Sequence, residues 1–383
     1  MAARGDGFCD SNGNPGLQCS LRAAIQEANT DTDEDFIHFG IPGGGVQRVQ
    51  VSSPLPEITE QVDIDGYTQL GALPNTNPDF GEPLNTKIKI EVMGSGLSFS
   101  SGSTSSEVTG LAIGKVDTGP EIFAGINTAL TVQGCFIGTD AKGKRDLGGL
   151  SSGAGMLAVD EGSLFGGTDP EDRNLVSGNN GTGIASNGSM VVIGNYVGTE
   201  ADGRSPLPNK EGIFVNVGSL IQQNLIAFNK DDGIAMPNTG NSLFTRNLSF
   251  RNGEQAIDLE SDGPTPNDPL DADTGANGLQ NYPVIKSAKQ GPGNTTIVKV
   301  KLNSTPMTTF DLEFFSGKRK KADAEAFIGE TEQVLTDASG KASLKQTFFT
   351  SVKKGHRITA TATDVEAGDF GATSELAKPV KVK

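Results

Sequence analysis

The sequence is poor in the side chains that most often carry out chemistry or stack against ligands. Its 383 residues include no Trp, 3 Tyr, 2 His and 3 Cys. So few Trp and Tyr rings make stacking platforms for sugar rings scarce. Cys9 and Cys19 have no His nearby, which argues against a paired-thiol metal site. No run of 18 apolar residues is present, which excludes a membrane-spanning helix in this sequence.

Positive charge is also scarce over most of the chain. Residues 284–383 contain 16 Lys and Arg against 11 Asp and Glu, whereas the remainder contains 15 against 36 and so carries a net charge of −21. Such an acidic surface repels polyanions, so we expect no nucleic-acid partner.

The sequence opens with Met-Ala-Ala-Arg-Gly-Asp, in which charged residues appear at once and no hydrophobic signal segment is visible. We interpret these six residues as an N-terminus from which a natural leader has been removed, so we expect an extracellular or cell-surface location. The alternative is a cytosolic protein.

What the sequence does have is glycine, at 51 residues, and an internal repeat. Four copies of an Asn-containing unit start at Asn174, Asn195, Asn224 and Asn247. Two of the steps between them are 21 and 23 residues, and the third is 29, which is 21 plus an 8-residue insertion. A period near 21 predicts a solenoid, in which these asparagines stack and their amides pair as a ladder.

A second alignment relates residues 132–143 to residues 192–203. It places Cys135 at the position of Asn195, where we expect a small buried side chain. Leu147 and Leu207 also correspond, so we expect the two long loops to be built alike and to lie on the same flank.

One segment has a helical pattern. Ser20 is a suitable N-cap, and Leu21, Ala24, Ile25 and Ala28 form one apolar stripe. Residues 19–25, CSLRAAI, preceded by GDGFCD, resemble the CSLREA motif of bacterial extracellular right-handed β-helix proteins, with Ala23 where that motif carries Glu. Residues 36–39 and 55–66 are similar to the first rungs of that family, and residues 257–283 to the segment in which it leaves the β-helix.

The resemblance implies an all-β fold: a right-handed parallel β-helix over residues 1–282, with the helix capping its N-terminal end. After Pro283 the pattern changes to period-2 strands, at residues 296–302, 310–315, 341–349 and 356–363, with a turn at residues 337–340. About 100 residues of such strands indicate an immunoglobulin-like β-sandwich over residues 283–383.

Acidic residues occupy two equivalent positions in successive repeats, just before the Ile that recurs in each repeat. Glu211 and Asp232 lie two residues before it, and Asp231 and Glu254 lie three before it. In register, Glu211 neighbours Asp232, and Asp231 neighbours Glu254. Carboxyl groups about 5 Å apart match a retaining glycosidase, and their repulsion would raise one pKa to give an acid/base couple. The alternative is that these are simply good turn formers.

The densest acidic stretch follows the repeats. Its oxygen ligands suit Ca²⁺, although the pattern of an EF-hand is absent; the alternative is a solvated acidic loop. The candidate ligands are Asp258, Glu260, Asp262, Asp268, Asp271 and Asp273.

Cys9 and Cys19 are candidates for a small disulfide ring at the start of the fold. Taken together, the sequence predicts a secreted protein that binds, and as a hydrolase or lyase cleaves, an extracellular polysaccharide along the flank of the solenoid. The rival hypothesis is a non-enzymatic surface stalk or adhesin that binds a surface partner.

Overall fold

The computed structural model describes residues 19–30, 32–147, 149, 153–368 and 370–383. The chain divides into two compact units, Met1–Lys210 and Glu211–Lys383. The regular elements among the described residues of both units are almost all β-strands, with one α-helix, α1 (Leu21–Ala28), near the start of the first.

The first unit contains three parallel sheets that the chain visits in turn. The first sheet comprises β1 (Asp35–His38), β3 (Val62–Asp65), β6 (Glu107–Thr109), β9 (Thr131–Gln133), β12 (Ser163–Gly166) and β15 (Met190–Ile193). The second comprises β2 (Gln47–Gln50), β4 (Ile90–Met93), β7 (Leu111–Gly114), β10 (Phe136–Ile137), β13 (Leu175–Val176) and β16 (Tyr196–Val197). The third comprises β5 (Leu97–Phe99), β8 (Ile122–Ala124), β11 (Met156–Ala158) and β14 (Thr182–Ser186). From β3 onward each circuit adds one strand to each sheet, which is the stacking of a solenoid.

The strand register confirms the period predicted from the asparagines. Leu175 of β13 lies opposite Tyr196 of β16, 21 residues later. In the second unit, Ile234 lies opposite Ile257, 23 residues later. Both steps equal those between the corresponding Asn residues, so one repeat of the sequence is one rung.

Apolar side chains stack in columns inside the rungs. In the first sheet Val132 lies opposite Val108 on one side and Phe165 on the other, and Phe165 lies opposite Val192. All four are fully buried. Each such side chain contributes roughly 1.5–3 kcal/mol by leaving water, so the interior of the stack is the main source of stability.

Buried asparagines join the rungs at their turns, as the repeat predicted. The Asn174 side-chain amide donates to Asn195 Oδ1 at 2.9 Å, and the Asn224 amide donates to Asn247 Oδ1 at 3.0 Å. The side chains of Asn174, Asn195 and Asn247 also bond backbone groups of a neighbouring rung. Asn174 Oδ1, for example, accepts from the Cys135 N–H at 2.8 Å. Cys135 itself is a free, buried thiol, as predicted.

The two long loops of the first unit are built alike, which confirms the second alignment. One is closed by a bridge between Thr139 and Asp146, and the other by the equivalent bridge between Thr199 and Pro206. The Ala201 N–H donates to the Gly143 carbonyl at 2.8 Å, so one loop stacks on the other.

The predicted helix is present with its predicted cap. Ser20 Oγ accepts from the Ala23 N–H at 3.2 Å, and Leu21, Ile25 and Ala28 are the buried residues of α1. The helix contacts β1, which is the outermost described strand of the first sheet.

The second unit begins with rungs of the same kind. Its parallel strands are β17 (Glu211–Val215), β18 (Leu220–Gln222), β19 (Leu225–Ala227), β20 (Ile234–Met236), β21 (Leu243–Thr245), β22 (Leu248–Phe250) and β23 (Ile257–Leu259). β18 pairs with β21, β19 pairs with β22, and β20 lies between β17 and β23.

Two antiparallel sheets follow. One comprises β24 (Val284–Gly291), β25 (Thr295–Asn303) and β28 (Lys341–Phe348), and the other comprises β27 (Ala326–Leu335), β26 (Thr309–Gly317), β29 (Arg357–Asp364) and β30 (Ala372–Thr373), with β31 (Val380–Lys381) beside β29. Val298 and Val300 of the first sheet share a core with Phe310 and Phe314 of the second. The change from parallel to antiparallel strands falls between Leu259 and Val284, and the domain boundary at 282/283 stays a prediction.

The four strands expected in this region are present, but β24, β27 and the two-residue strands β30 and β31 were not predicted. β24 lacks a regular alternation of apolar and polar residues. The pairing of β27 with β26 contains two register shifts, which disturb the alternation of inward and outward side chains along β27.

The Asn ladder makes a first prediction. Asn247→Ala would remove the acceptor Oδ1 shared by the Asn224 N–H and side-chain amide, and the donor to the buried Ile221 carbonyl, so we expect a loss of about 3 kcal/mol in unfolding free energy. Asn238→Ala is the control, since that exposed side chain donates a hydrogen bond to Asn216 Oδ1 at the surface; we expect a loss under about 0.5 kcal/mol there. Equal losses in urea unfolding would contradict a structural role for the ladder.

Candidate functional site

The predicted catalytic carboxylates lie at the start of successive rungs in the second unit. Glu211 opens β17, Asp231 and Asp232 precede β20, and Glu254 precedes β23. The Gly212 N–H donates to the Asp232 carbonyl, and the Glu254 N–H donates to the Asp231 carbonyl, both at 3.0 Å. The register assumed from the sequence therefore places these residues on neighbouring rungs as expected; their catalytic roles stay predictions.

Asp232 combines burial with a hydrogen bond to the next rung. Its side chain is buried, and its Oδ1 accepts from the Gln255 N–H of the next rung at 2.6 Å. Burial raises the pKa of Asp232 to about 6, against the hydrogen bond from Gln255, and the charges of Asp258, Glu254 and Asp231 add to the rise. Asp232 is thus a carboxyl group that takes up a proton at mildly acidic pH.

The neighbours of Asp232 differ in their access to solvent. Glu254 is exposed, whereas Asp231 and Glu211 are partly buried. The arrangement combines one protonatable acid with an accessible carboxylate, which is the division of roles that general acid and base catalysis needs.

Two further buried carboxylates lie in this region, Asp258 beside Asp232 and Glu375 beside Asp258. Asp258, predicted as a metal ligand, lies on β23 and accepts from the Gly263 N–H at 3.1 Å. Glu375, which the sequence did not suggest, is buried and accepts from the N–H groups of Leu259 and Thr265, at 3.2 and 2.9 Å. Burial raises the pKa of both, that of Glu375 to about 7 with a contribution from Asp258.

Glu375 is one of several side chains that complete the last rungs. Thr373 accepts from the Phe244 N–H at 3.0 Å, Glu313 from the Arg246 N–H at 2.9 Å and Asp323 from the Arg251 N–H at 3.3 Å. All four acceptors come from the antiparallel region. An outer strand has N–H groups that no further rung can pair, and here side chains of the antiparallel region accept them.

The candidate Ca²⁺ ligands divide into two groups. Among the described residues, the only group of three or more His, Cys, Asp or Glu side chains with ligand atoms within 4.8 Å of one another is Asp268, Asp271 and Asp273. Asp258 is close to Asp262, which contributes to its raised pKa, while Glu260 lies over Gly275. The structure therefore brings together three of the six predicted ligands.

The three clustered aspartates are incompletely satisfied by protein groups. Asp271 accepts from Ser304 Oγ at 2.6 Å and from the Asn281 N–H at 2.9 Å. Asp273 Oδ1 is buried and has no hydrogen-bond partner among the described residues. Burial raises the pKa of Asp271 to about 6, and the charges of Asp273 and Asp268 add to it. The cluster favours a proton or a cation.

Of the predicted disulfide pair, Cys19 is disulfide-bonded. Cys9 lies outside the described residues, so the pairing stays a prediction.

No family model matches this chain, and no curated protein matches it either. In the part of the chain that the structure describes, no helix has the length and hydrophobicity needed to cross a membrane.

The raised pKa of Glu375 makes a second prediction. Because the folded-state pKa is about 7 and the ordinary value is 4.5, stability increases as the pH falls from about 8 to 5 and is lost as the pH rises through 7. The contribution is on the order of 2 kcal/mol. Unfolding free energies measured from pH 5 to 8 should show this slope, reduced in Glu375→Gln and kept in the exposed control Glu332→Gln. An unchanged slope in Glu375→Gln would contradict the assignment.

Proposed function

We propose that this chain is a secreted or cell-surface protein whose rungs form a right-handed parallel β-helix over residues 1–282. Its CSLREA-like N-terminal segment includes the capping helix, and an immunoglobulin-like sandwich occupies residues 283–383. Three sheets visited in turn, with a period of 21–23 residues, support the β-helix. Two antiparallel sheets around one core support the sandwich.

The function we propose is binding of an extracellular polysaccharide along the flank of the rungs, followed by hydrolysis. The observation that carries it is the pairing of Asp232, whose pKa is about 6, with the accessible carboxylate of Glu254 on the next rung. At mildly acidic pH Asp232 would protonate the glycosidic oxygen as the general acid. Glu254, assisted by Asp231, would act on the sugar carbon as nucleophile or through a water molecule.

A non-enzymatic surface stalk or adhesin is the second candidate, and one contact favours it. Asp232 Oδ1 accepts a hydrogen bond from the Gln255 backbone, so this carboxylate has a structural task in joining two rungs. In a stalk the rungs would supply length, and the carboxylates would only complete the turns.

Glu254→Gln separates the two candidates, because this side chain is exposed. In a screen of neutral and acidic polysaccharides, with reducing ends as the readout, we expect Glu254→Gln to lower the hydrolysis rate at least about a hundredfold. We expect its melting temperature to be unchanged. Glu332→Gln, an exposed carboxylate on β27, is the control and should keep full activity. If the unaltered protein releases no reducing ends from any substrate, the hydrolase proposal fails and the stalk remains.

We also propose that Asp268, Asp271 and Asp273 bind Ca²⁺. Their clustered oxygens, together with the buried unpartnered Oδ1 of Asp273, support a cation there. Ca²⁺ at a hundred times its Kd should add about 2.7 kcal/mol to the unfolding free energy, which corresponds to a rise of about 5 °C in melting temperature.

Calorimetry with Ca²⁺ and with EDTA tests this proposal. Asp273→Asn should abolish the difference between the two conditions, and Asp262→Asn should preserve it, since Asp262 lies outside the three-residue cluster. Identical melting temperatures with Ca²⁺ and EDTA would refute the site.

A further inference from the structure

A cleft in the first unit is lined by more positive than negative side chains, although the surrounding chain is acidic. It has a volume of about 440 Å³ and lies between the loop closed by Thr139 and Asp146 and the strands β2 and β4. Its charged lining residues are Arg48, Lys89, Glu91, Asp140, Lys142 and Arg145. Four cations against two carboxylates give the cleft an excess of two positive charges.

Both carboxylates of the cleft are occupied by protein groups. Glu91 is buried and accepts from Arg48 Nε at 2.8 Å and from the Ala141 N–H at 3.2 Å. Asp140 is also buried and accepts from Arg145 Nε at 2.9 Å and from the Lys144 N–H at 3.0 Å. Burial opposes the charge of Asp140, but these hydrogen bonds outweigh it and lower its pKa. Asp140 therefore stays charged, and each of the two carboxylates holds one guanidinium group in place through its hydrogen bond.

Fixing each arginine through Nε leaves its two Nη groups available. The Arg48 and Arg145 side chains are 60% and 67% exposed. Within the described ranges, neither Nη pair has a hydrogen-bond partner, and Lys89 and Lys142 form no ion pair. A guanidinium held in one orientation presents a planar pair of donors, which matches the two oxygens of a carboxylate.

The second long loop shows that these charges are not needed to build the loop. It has the same closing bridge but carries Asp202 and Ser205 where the first loop carries Lys142 and Arg145. There, Ser205 Oγ and the Ser205 N–H both donate to Asp202 at 2.7 Å, so the second loop is built without a cation at either of these two positions. The cationic residues of the first loop are a departure from the repeat that the fold does not require.

We propose that this cleft binds an acidic saccharide, with the sugar carboxylates held by the guanidinium groups of Arg48 and Arg145 and with Lys89 and Lys142 adding positive charge. A volume of about 440 Å³ is in the range of small-ligand sites and suits a short segment of such a chain. The anion site stands on the geometry alone, whereas its assignment to a saccharide rests on the proposed polysaccharide function. The residues of the cleft differ from the carboxylates proposed for hydrolysis, so each can be tested without the other.

Titration calorimetry with the full chain tests the proposal, using tetragalacturonate, its methyl ester and inorganic phosphate as probes. We expect tetragalacturonate to bind, with an affinity that falls as salt is added. The uncharged methyl ester should bind at least about tenfold more weakly, because it cannot form charge-assisted hydrogen bonds.

Substitutions identify the groups involved. Lys142→Asp combined with Arg145→Ser transfers the second loop's residues into the first, and we expect at least about a tenfold loss of affinity. Arg145→Lys keeps the charge but removes the paired donors and should also weaken binding. The matched control is Arg204→Gln, an exposed arginine on the second loop paired with Glu82, which should leave affinity unchanged. Melting temperatures of all variants verify that they are folded.

Each remaining outcome overturns a stated part of the proposal. Absence of binding to all three probes, or affinity unchanged by the loop exchange and by Arg48→Gln, refutes the cleft as an anion site. Binding of phosphate but not of tetragalacturonate refutes the saccharide. Binding of tetragalacturonate without hydrolysis of any polysaccharide supports the cleft and refutes only the hydrolase.

Discussion

The constraint on which this structure depends is that no rung can satisfy its own polar groups. A strand of two to five residues has N–H and carbonyl groups that only the rungs before and after it can pair. At the turns, where strand pairing stops, buried amides such as Asn174 and Asn224 extend the pairing from rung to rung. Fixed spacing follows, because an asparagine that pairs with its counterpart leaves no freedom in the register.

Fixed spacing confines variation to the loops between strands. An insertion that leaves the flanking strands in register costs little, and the two long loops of the first unit are such insertions. They share one backbone design but differ in charge, since Lys142 and Arg145 in one correspond to Asp202 and Ser205 in the other. A difference between otherwise equivalent loops is therefore the clearest place to look for function in a repeat protein.

The sequence predicted the features that depend on the spacing of the repeat. It did not predict those that depend on contacts between residues far apart in the chain. The Asn ladder, the register at Asp232 and the cap of α1 by Ser20 follow from spacings of one rung or less. Glu375 meets the Leu259 N–H across 116 residues, and Glu91 meets the Ala141 N–H across 50. No local pattern marks such pairs. The comparison of the two long loops did contain a signal for the cleft, in the exchange of Arg145 for Ser205.

The buried carboxylates of the second unit follow from the same constraint at the end of the stack. The last rungs have N–H groups with no further rung to accept them, and Glu313, Asp323 and Glu375 accept those of Arg246, Arg251 and Leu259. A carboxylate is a strong acceptor in this position, but burial raises its pKa, as it does for Glu375 and Glu313. Completing the end of the stack with acids thus makes its stability depend on pH, and Asp232, which accepts from Gln255, shares this property. The raised pKa of a carboxyl group in these rungs is therefore explained by its burial as an acceptor for a backbone N–H. A catalytic role for the site of Asp232 requires in addition that activity is lost in a variant, such as Glu254→Gln, that leaves this hydrogen bond intact.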